Sequence, residues 1–129
     1  MYLLHPSTVH FPIALLLAGS ALELWAARRE RPDLIAAARL MLRLGWWAAL
    51  AATLTGFATL AVNWQRAQAT LGWINAHAAT SLIVVAVYWR VALPRTTAQS
   101  RRPLLIAGAA LIILTGWLGG HLGHSLWSQ

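Results

Sequence analysis

Apolar residues in this chain fall into four long runs. The first is Thr8–Ala27, broken only by Pro12 near its start and Glu23 near its end. The second is Leu44–Val62, with an amphipathic lead-in from about Asp33 that carries the span back to about residue 40; the third is Leu71–Leu93 and the fourth Pro103–Leu122. Each is close to the roughly 20 residues that cross about 30 Å of hydrocarbon. Lipid cannot satisfy backbone polar groups, so spanning segments are helices or closed barrels. Continuous Ala- and Leu-rich runs of this length are helices.

The segments between them, 28–43, 63–70 and 94–102, are short, which makes neighbouring helices antiparallel. The pattern therefore predicts an all-α integral membrane protein. It is read as a single domain over residues 1–129, an up-down four-helix bundle with spans near 8–27, 40–62, 71–93 and 103–122. Pro32, Pro94 and Pro103 are expected to mark helix boundaries. Pro12 is expected within the first turn of a helix starting near Ser7 or Thr8, where a missing N–H has no intrahelical partner to lose.

Composition strengthens this picture. Of 129 residues 59% are hydrophobic and 10% charged, with mean hydropathy +0.60, against about 25% charged in an average soluble domain. Such hydrophobicity excludes a disordered chain. The absence of cysteine excludes a disulfide scaffold, an Fe–S cluster, a thiolate zinc site and a covalently attached c-type haem. A net charge of +7 carried by Arg alone could suggest nucleic acid, but such binders place their basic residues on a soluble domain. Here they lie between apolar runs, so the expected partner is the lipid bilayer and not a nucleic acid.

The arginines also give an orientation. Arg28, Arg29, Arg31, Arg39, Arg43, Arg90, Arg95, Arg101 and Arg102 fall on one side of the four spans and Arg66 on the other. The positive-inside rule puts the larger set in the cytoplasm, with both termini and the 63–70 segment in the periplasm of a bacterial inner membrane. No basic residue precedes the first span, which is therefore expected to be retained and not cleaved as a signal peptide. Tryptophans follow the same depth scale. Trp25, Trp46, Trp47 and Trp89 lie near the Arg-rich ends, and Trp64, Trp73, Trp117 and Trp127 near the opposite ends, as an interfacial belt would place them.

All five histidines gather in or beside the leaflet opposite the arginines. His5 and His10 stand at the entry of the first span, His77 about two turns into the third, and His121 and His124 at the end of the fourth, three apart on one face. His5 and His124 are close enough to the interface to be merely solvated, and His77 alone could be an interhelical hydrogen-bond partner. Three helices bringing histidines to one depth favours a site, because ionisable groups inside a membrane are expensive. No carboxylate shares that depth. Glu23 is at the other end, where a salt bridge to Arg28 or Arg43 is expected, and Glu30 and Asp33 lie beyond it. Paired-carboxylate hydrolysis and Ser–His–Asp chemistry are therefore disfavoured, and the chain is read as a carrier or subunit before an enzyme. Neutral imidazoles without acidic partners suit ligation, to haem iron, copper or zinc.

Haem b is the leading expectation. Gly116, Gly119, Gly120 and Gly123 form two overlapping G-x-x-x-G spacings beside His121, and Thr53, Thr55, Gly56 and Thr59 reach the same depth. Small residues let a flat macrocycle lie against a helix, though the same spacing serves helix packing or a homodimer equally well. His10 and His77 form the expected axial pair with His121 as the competing ligand, and Arg66 could meet haem propionates or be a simple loop charge. Electrons would pass between a periplasmic redox carrier and a quinone or another membrane subunit within that leaflet. Two other readings stay open: a copper or zinc site in periplasmic metal handling held by His121 and His124 with His77 dispensable, and a cofactor-free structural or assembly subunit.

The opening His5-Pro6-Ser7-Thr8-Val9-His10-Phe11-Pro12-Ile13-Ala14-Leu15 resembles the H-P-x-x-V-H-F-P-I-A-L signature of a family of small bacterial membrane proteins catalogued as domain of unknown function 2231. Leu114-Thr115-Gly116-Trp117-Leu118-Gly119-Gly120 is similar to that family's closing motif, and Thr55-Gly56 fits as well. The resemblance covers essentially the whole chain and implies a four-span inner-membrane protein. It also implies redox work, since some members accompany Rieske or cytochrome components. This sequence departs from the pattern after Gly120, where many relatives carry a charged residue and then Tyr, and this chain carries His121 and His124.

Overall fold

The computed structural model describes residues 4–92 and 96–127, with the side chains of these except at 4–7, 66, 69, 98 and 124–127. All of its regular structure is helical: α1 (Leu4–Arg28), α2 (Pro32–Val62), a one-turn α3 (Trp64–Ala67) leading into a 3₁₀ turn (Gln68–Thr70), α4 (Leu71–Ala92) and α5 (Ala98–Trp127). The four long helices are each long and apolar enough to cross a membrane. α1 packs on α2, α2 on α4, α4 on α5, and α5 back on α1. This is an up-down bundle closed in chain order, with the segment 63–70 folded into helical turns rather than extended.

Helix ends differ from the expected boundaries in instructive ways. α2 begins with Pro32 at its first turn, where proline is pre-organised for helix, and its amphipathic lead-in is continuous with the span. Its 31 residues run about 46 Å at 1.5 Å per residue. Pro103 does not end a helix: α5 starts at Ala98 and runs through it. Pro12 likewise lies well inside α1, which starts at Leu4, so its ring nitrogen cannot donate to the carbonyl of Thr8. α1 closes on Glu30, whose φ of 52° is the left-handed conformation that ends many helices. The Arg31 N–H then reaches back to the Ala26 carbonyl at 3.1 Å.

Close helix contact rests on three glycines. Gly45 lies against Leu16, Gly19 against Leu42, and Gly108 against the ring of Tyr88, each so near that a Cβ would come within 3.0 Å of the neighbour. Tyr88 crosses from α4 to α1, sharing a 2.8 Å hydrogen bond with the Ser20 hydroxyl. Trp46 belongs to the core and not to the expected interfacial belt; it is buried, and its Nε1–H donates to the Val85 carbonyl at 3.0 Å. Trp25, Trp47, Trp64, Trp73, Trp89 and Trp117 are exposed on the bundle surface.

Glu23 is buried and paired, but not with Arg28 or Arg43. Its two oxygens accept from Arg101 Nε at 2.6 Å and Nη2 at 2.8 Å, and Arg101 Nη1 donates to the Val91 carbonyl at 2.6 Å. Arg39 approaches the same carboxylate at 3.8 Å from a half-exposed position. The pairing differs from the expected one because α5 extends back past Pro103 and carries Arg101 inward to the depth of Glu23.

Candidate functional site

The bundle is packed differently in its two halves. Its core of Leu16, Leu42, Trp46, Ala49, Val84, Tyr88, Val91, Leu105 and Ile112 extends from the middle toward the Arg-rich end. One or two turns further along the same helix faces stand Thr53 and Gly56 on α2, His77 and Ser81 on α4, and Thr115 and Gly119 on α5. Leu118 and Leu122 are buried in this half, but its lining is otherwise small and hydroxylic. Polar residues at membrane depth default to a functional reading.

Most of these hydroxyls are turned back onto their own helices. Thr53 donates to Ala49, Thr55 to Ala52, Thr59 to Thr55, and the Asn63 amide to Thr59, all onto backbone carbonyls at 2.8–2.9 Å. Ser81 and Thr80 both donate to the His77 carbonyl, at 2.8 and 3.0 Å. In hydrocarbon this is how Ser and Thr satisfy themselves without an external partner. Thr115 differs: its Oγ1 is buried with no hydrogen-bond partner among the described residues.

His77 is the half-buried imidazole of this region. Its Nδ1 lies 3.1 Å from the Thr115 carbonyl. A carbonyl only accepts, so Nδ1 carries the proton in this contact, which ties the ring on α4 to α5. That is the orienting bond characteristic of metal-ligating histidines. The ring rides over Gly119, where a Cβ would come 3.0 Å from Cε1. The neighbour that a side chain at 119 would crowd is the His77 ring of α4.

The other expected site residues are dispersed. His10 is exposed, and at two residues from the buried Pro12 it stands roughly half a turn away from the inward face of α1. The position of His5, about two turns before Pro12, shares that inward face, though its side chain lies outside the described ones. His121 is exposed in an aromatic cluster, 4.4 Å between ring centroids from Trp73 and 6.0 Å from Trp117. The side chains of His124 and Arg66 also lie outside the described residues. Among the described residues Gly116, Gly120 and Gly123 have nothing within 4 Å of where a Cβ would stand, so of the four glycines in the G-x-x-x-G spacings Gly119 alone meets a neighbour there, the His77 ring of α4. Among the described residues no three His, Asp or Glu side chains form a group that could hold a metal ion.

Sequence reasoning missed Ser20, Tyr88, Arg101 and Thr115. A signal existed for one pair, since Glu23 and Arg101 both lie at the Arg-rich ends of their helices. Nothing in the sequence marks Thr115 as the hydroxyl that does not turn back on its helix.

A four-helix membrane-spanning bundle with a packed half and a polar, histidine-bearing half is the class of protein these features define. The chain belongs to the family described as predicted membrane protein (DUF2231), which it matches over residues 3–127. No curated protein and no solved structure matches it.

Proposed function

We propose that the protein is a haem b-binding electron carrier, or the haem-bearing subunit of a redox complex, in a bacterial inner membrane. Both termini are periplasmic in this reading, and His77 would hold the haem iron. The observation that carries it is the locked imidazole. His77 stands at membrane depth on an inward face, its Nδ1–H held by the Thr115 carbonyl and its ring accommodated by Gly119. A haem there would supply a one-electron couple at iron. The chain's own contribution would be to orient the ring through the Thr115 carbonyl, to keep water out with Leu118 and Leu122, and to present small side chains such as Gly119 and Thr115 beside it. The second ligand would come from α1, where His10 is the expected residue and the position of His5 shares the inward face. The orientation rests on the arginines, which but for Arg66 all lie at one end. With the histidines confined to the other leaflet, electrons would move between a periplasmic carrier and a quinone or partner subunit there.

The test is the visible spectrum of detergent-purified protein expressed with ample haem, air-oxidised and then reduced with dithionite. A Soret band that shifts on reduction, with sharp α and β bands, is the expected result. His77→Ala should abolish it, and His5→Ala against His10→Ala identifies the second ligand. A featureless spectrum in the unaltered protein, or one that survives His77→Ala, overturns the reading.

A further inference from the structure

We infer that the seam between α2 and α4 at the Arg-rich end is a binding site for an anionic phospholipid. Arg39 and Arg43 supply the phosphate contacts, and Trp47 and Trp89 the surface on which the glycerol and upper acyl chains lie. Charge accounting is the first argument. The chain has ten basic residues and three acidic ones. Among the described residues Asp33 is taken by Arg31 at 2.7 Å, Glu23 by Arg101 at 2.6 Å with Arg39 only at 3.8 Å, and the exposed Glu30 makes no ion pair. Arg43 makes no ion pair among the described residues and is exposed. Arg39 and Arg43 are four apart on one helix, so their side chains are neighbours on its surface and repel each other. An anion between them removes that repulsion.

The second argument is the aromatic cluster one turn deeper. Trp46 joins the two helices, its ring centroid 4.7 Å from Trp47 on α2 and 4.9 Å from Trp89 on α4. Trp46 is buried, whereas Trp47 and Trp89 are 62% and 47% exposed. They form an indole surface across the seam, with Arg43 three and four residues before Trp46 and Trp47 and so one turn nearer the headgroups. Tryptophan at headgroup level and arginine reaching past it match the order of an acidic phospholipid read from acyl chain to phosphate. A zwitterionic lipid would bring its own cation to the arginines and gain less.

Lipid titrations of the full chain in detergent, read by native mass spectrometry and by thermal unfolding, test this. Phosphatidylglycerol should bind and raise the melting temperature, while phosphatidylcholine of the same chain length and inorganic phosphate should not. Arg43→Gln, which breaks no ion pair among the described residues, should weaken phosphatidylglycerol binding about fivefold, and Arg39→Gln with Arg43→Gln about 25-fold, at the scale of one basic residue near an anionic surface. Arg28→Gln with Arg29→Gln should leave it unchanged. Equal stabilisation by phosphatidylcholine would reduce the seam to ordinary lipid contact, and equal stabilisation by phosphate would make it an anion site without lipid. Retention of the preference in Arg43→Gln with unchanged circular dichroism, or its loss in the Arg28/Arg29 variant, would also overturn the assignment.

Discussion

Gly119 and Gly120 are adjacent in sequence and opposite in consequence. A Cβ at Gly119 would come 3.0 Å from His77 Cε1 and 3.4 Å from Nδ1, whereas a Cβ at Gly120 meets nothing within 4 Å. Gly119→Leu should therefore destabilise the protein by about 1–3 kcal/mol through overpacking, and should displace the imidazole from the Thr115 carbonyl. Gly120→Leu should stay within about 0.5 kcal/mol, as surface changes usually do. Thermal unfolding of both variants in the same detergent measures the difference, and equal effects would mean that His77 does not ride on Gly119. The overlapping glycine spacings could not reveal this, because two frames of one motif fit the same four residues. Histidine faces were hidden for a related reason. In water an apolar stripe marks the inward face of a helix. Here Phe11, Leu54, Ile113 and many like them face outward, so hydrophobicity is nearly uniform around each helix. His10 and His77, the expected pair, therefore differ in the fold, His10 exposed and His77 half-buried.

At the scale of helices, what ties the Arg-rich half together is polar. Arg101 on α5 joins Glu23 on α1 and the Val91 carbonyl on α4, and Tyr88 on α4 joins Ser20 on α1. Both partners of the ion pair are almost fully buried, so removing one leaves the other uncompensated. Glu23→Gln and Arg101→Leu should each cost about 3–5 kcal/mol. The double variant should cost clearly less than the sum, since no buried charge is then left alone. Urea or thermal unfolding of the four members of this cycle is the measurement, and strict additivity would show that the pair contributes nothing as a pair. Helix existence and order were legible because span length is set by bilayer thickness. Helix ends were not, because Pro12 and Pro103 lie inside helices and do not bound them. In the first turns of α5 only one hydrogen bond, from residue 103 to the carbonyl of residue 99, is lost to Pro103. That loss is small beside the contacts Arg101 gains by being helical.

Over the whole molecule the two ends are chemically unlike, one arginine-rich around a packed core and the other lined by histidine, threonine and glycine. Hydropathy alone made the four crossings visible, and charge counting supplied a direction, but the asymmetry of packing emerged only from the fold. The chain lacks cysteine, so single cysteines can be introduced without background to test the direction. Gln65 and Arg29 are both exposed, outside the four long helices and at opposite ends of the bundle. In intact bacterial cells a membrane-impermeant maleimide should label Gln65→Cys and spare Arg29→Cys, and both should label after permeabilisation. The reverse pattern would turn the histidine half toward the cytoplasm and replace the periplasmic carrier by a cytoplasmic donor, while leaving the geometry of His77, Thr115 and Gly119 untouched. Labelling of both from outside would contradict the single crossing, α2, that separates them. The orientation can thus fail without the site failing, because one rests on where the arginines lie and the other on a single locked imidazole.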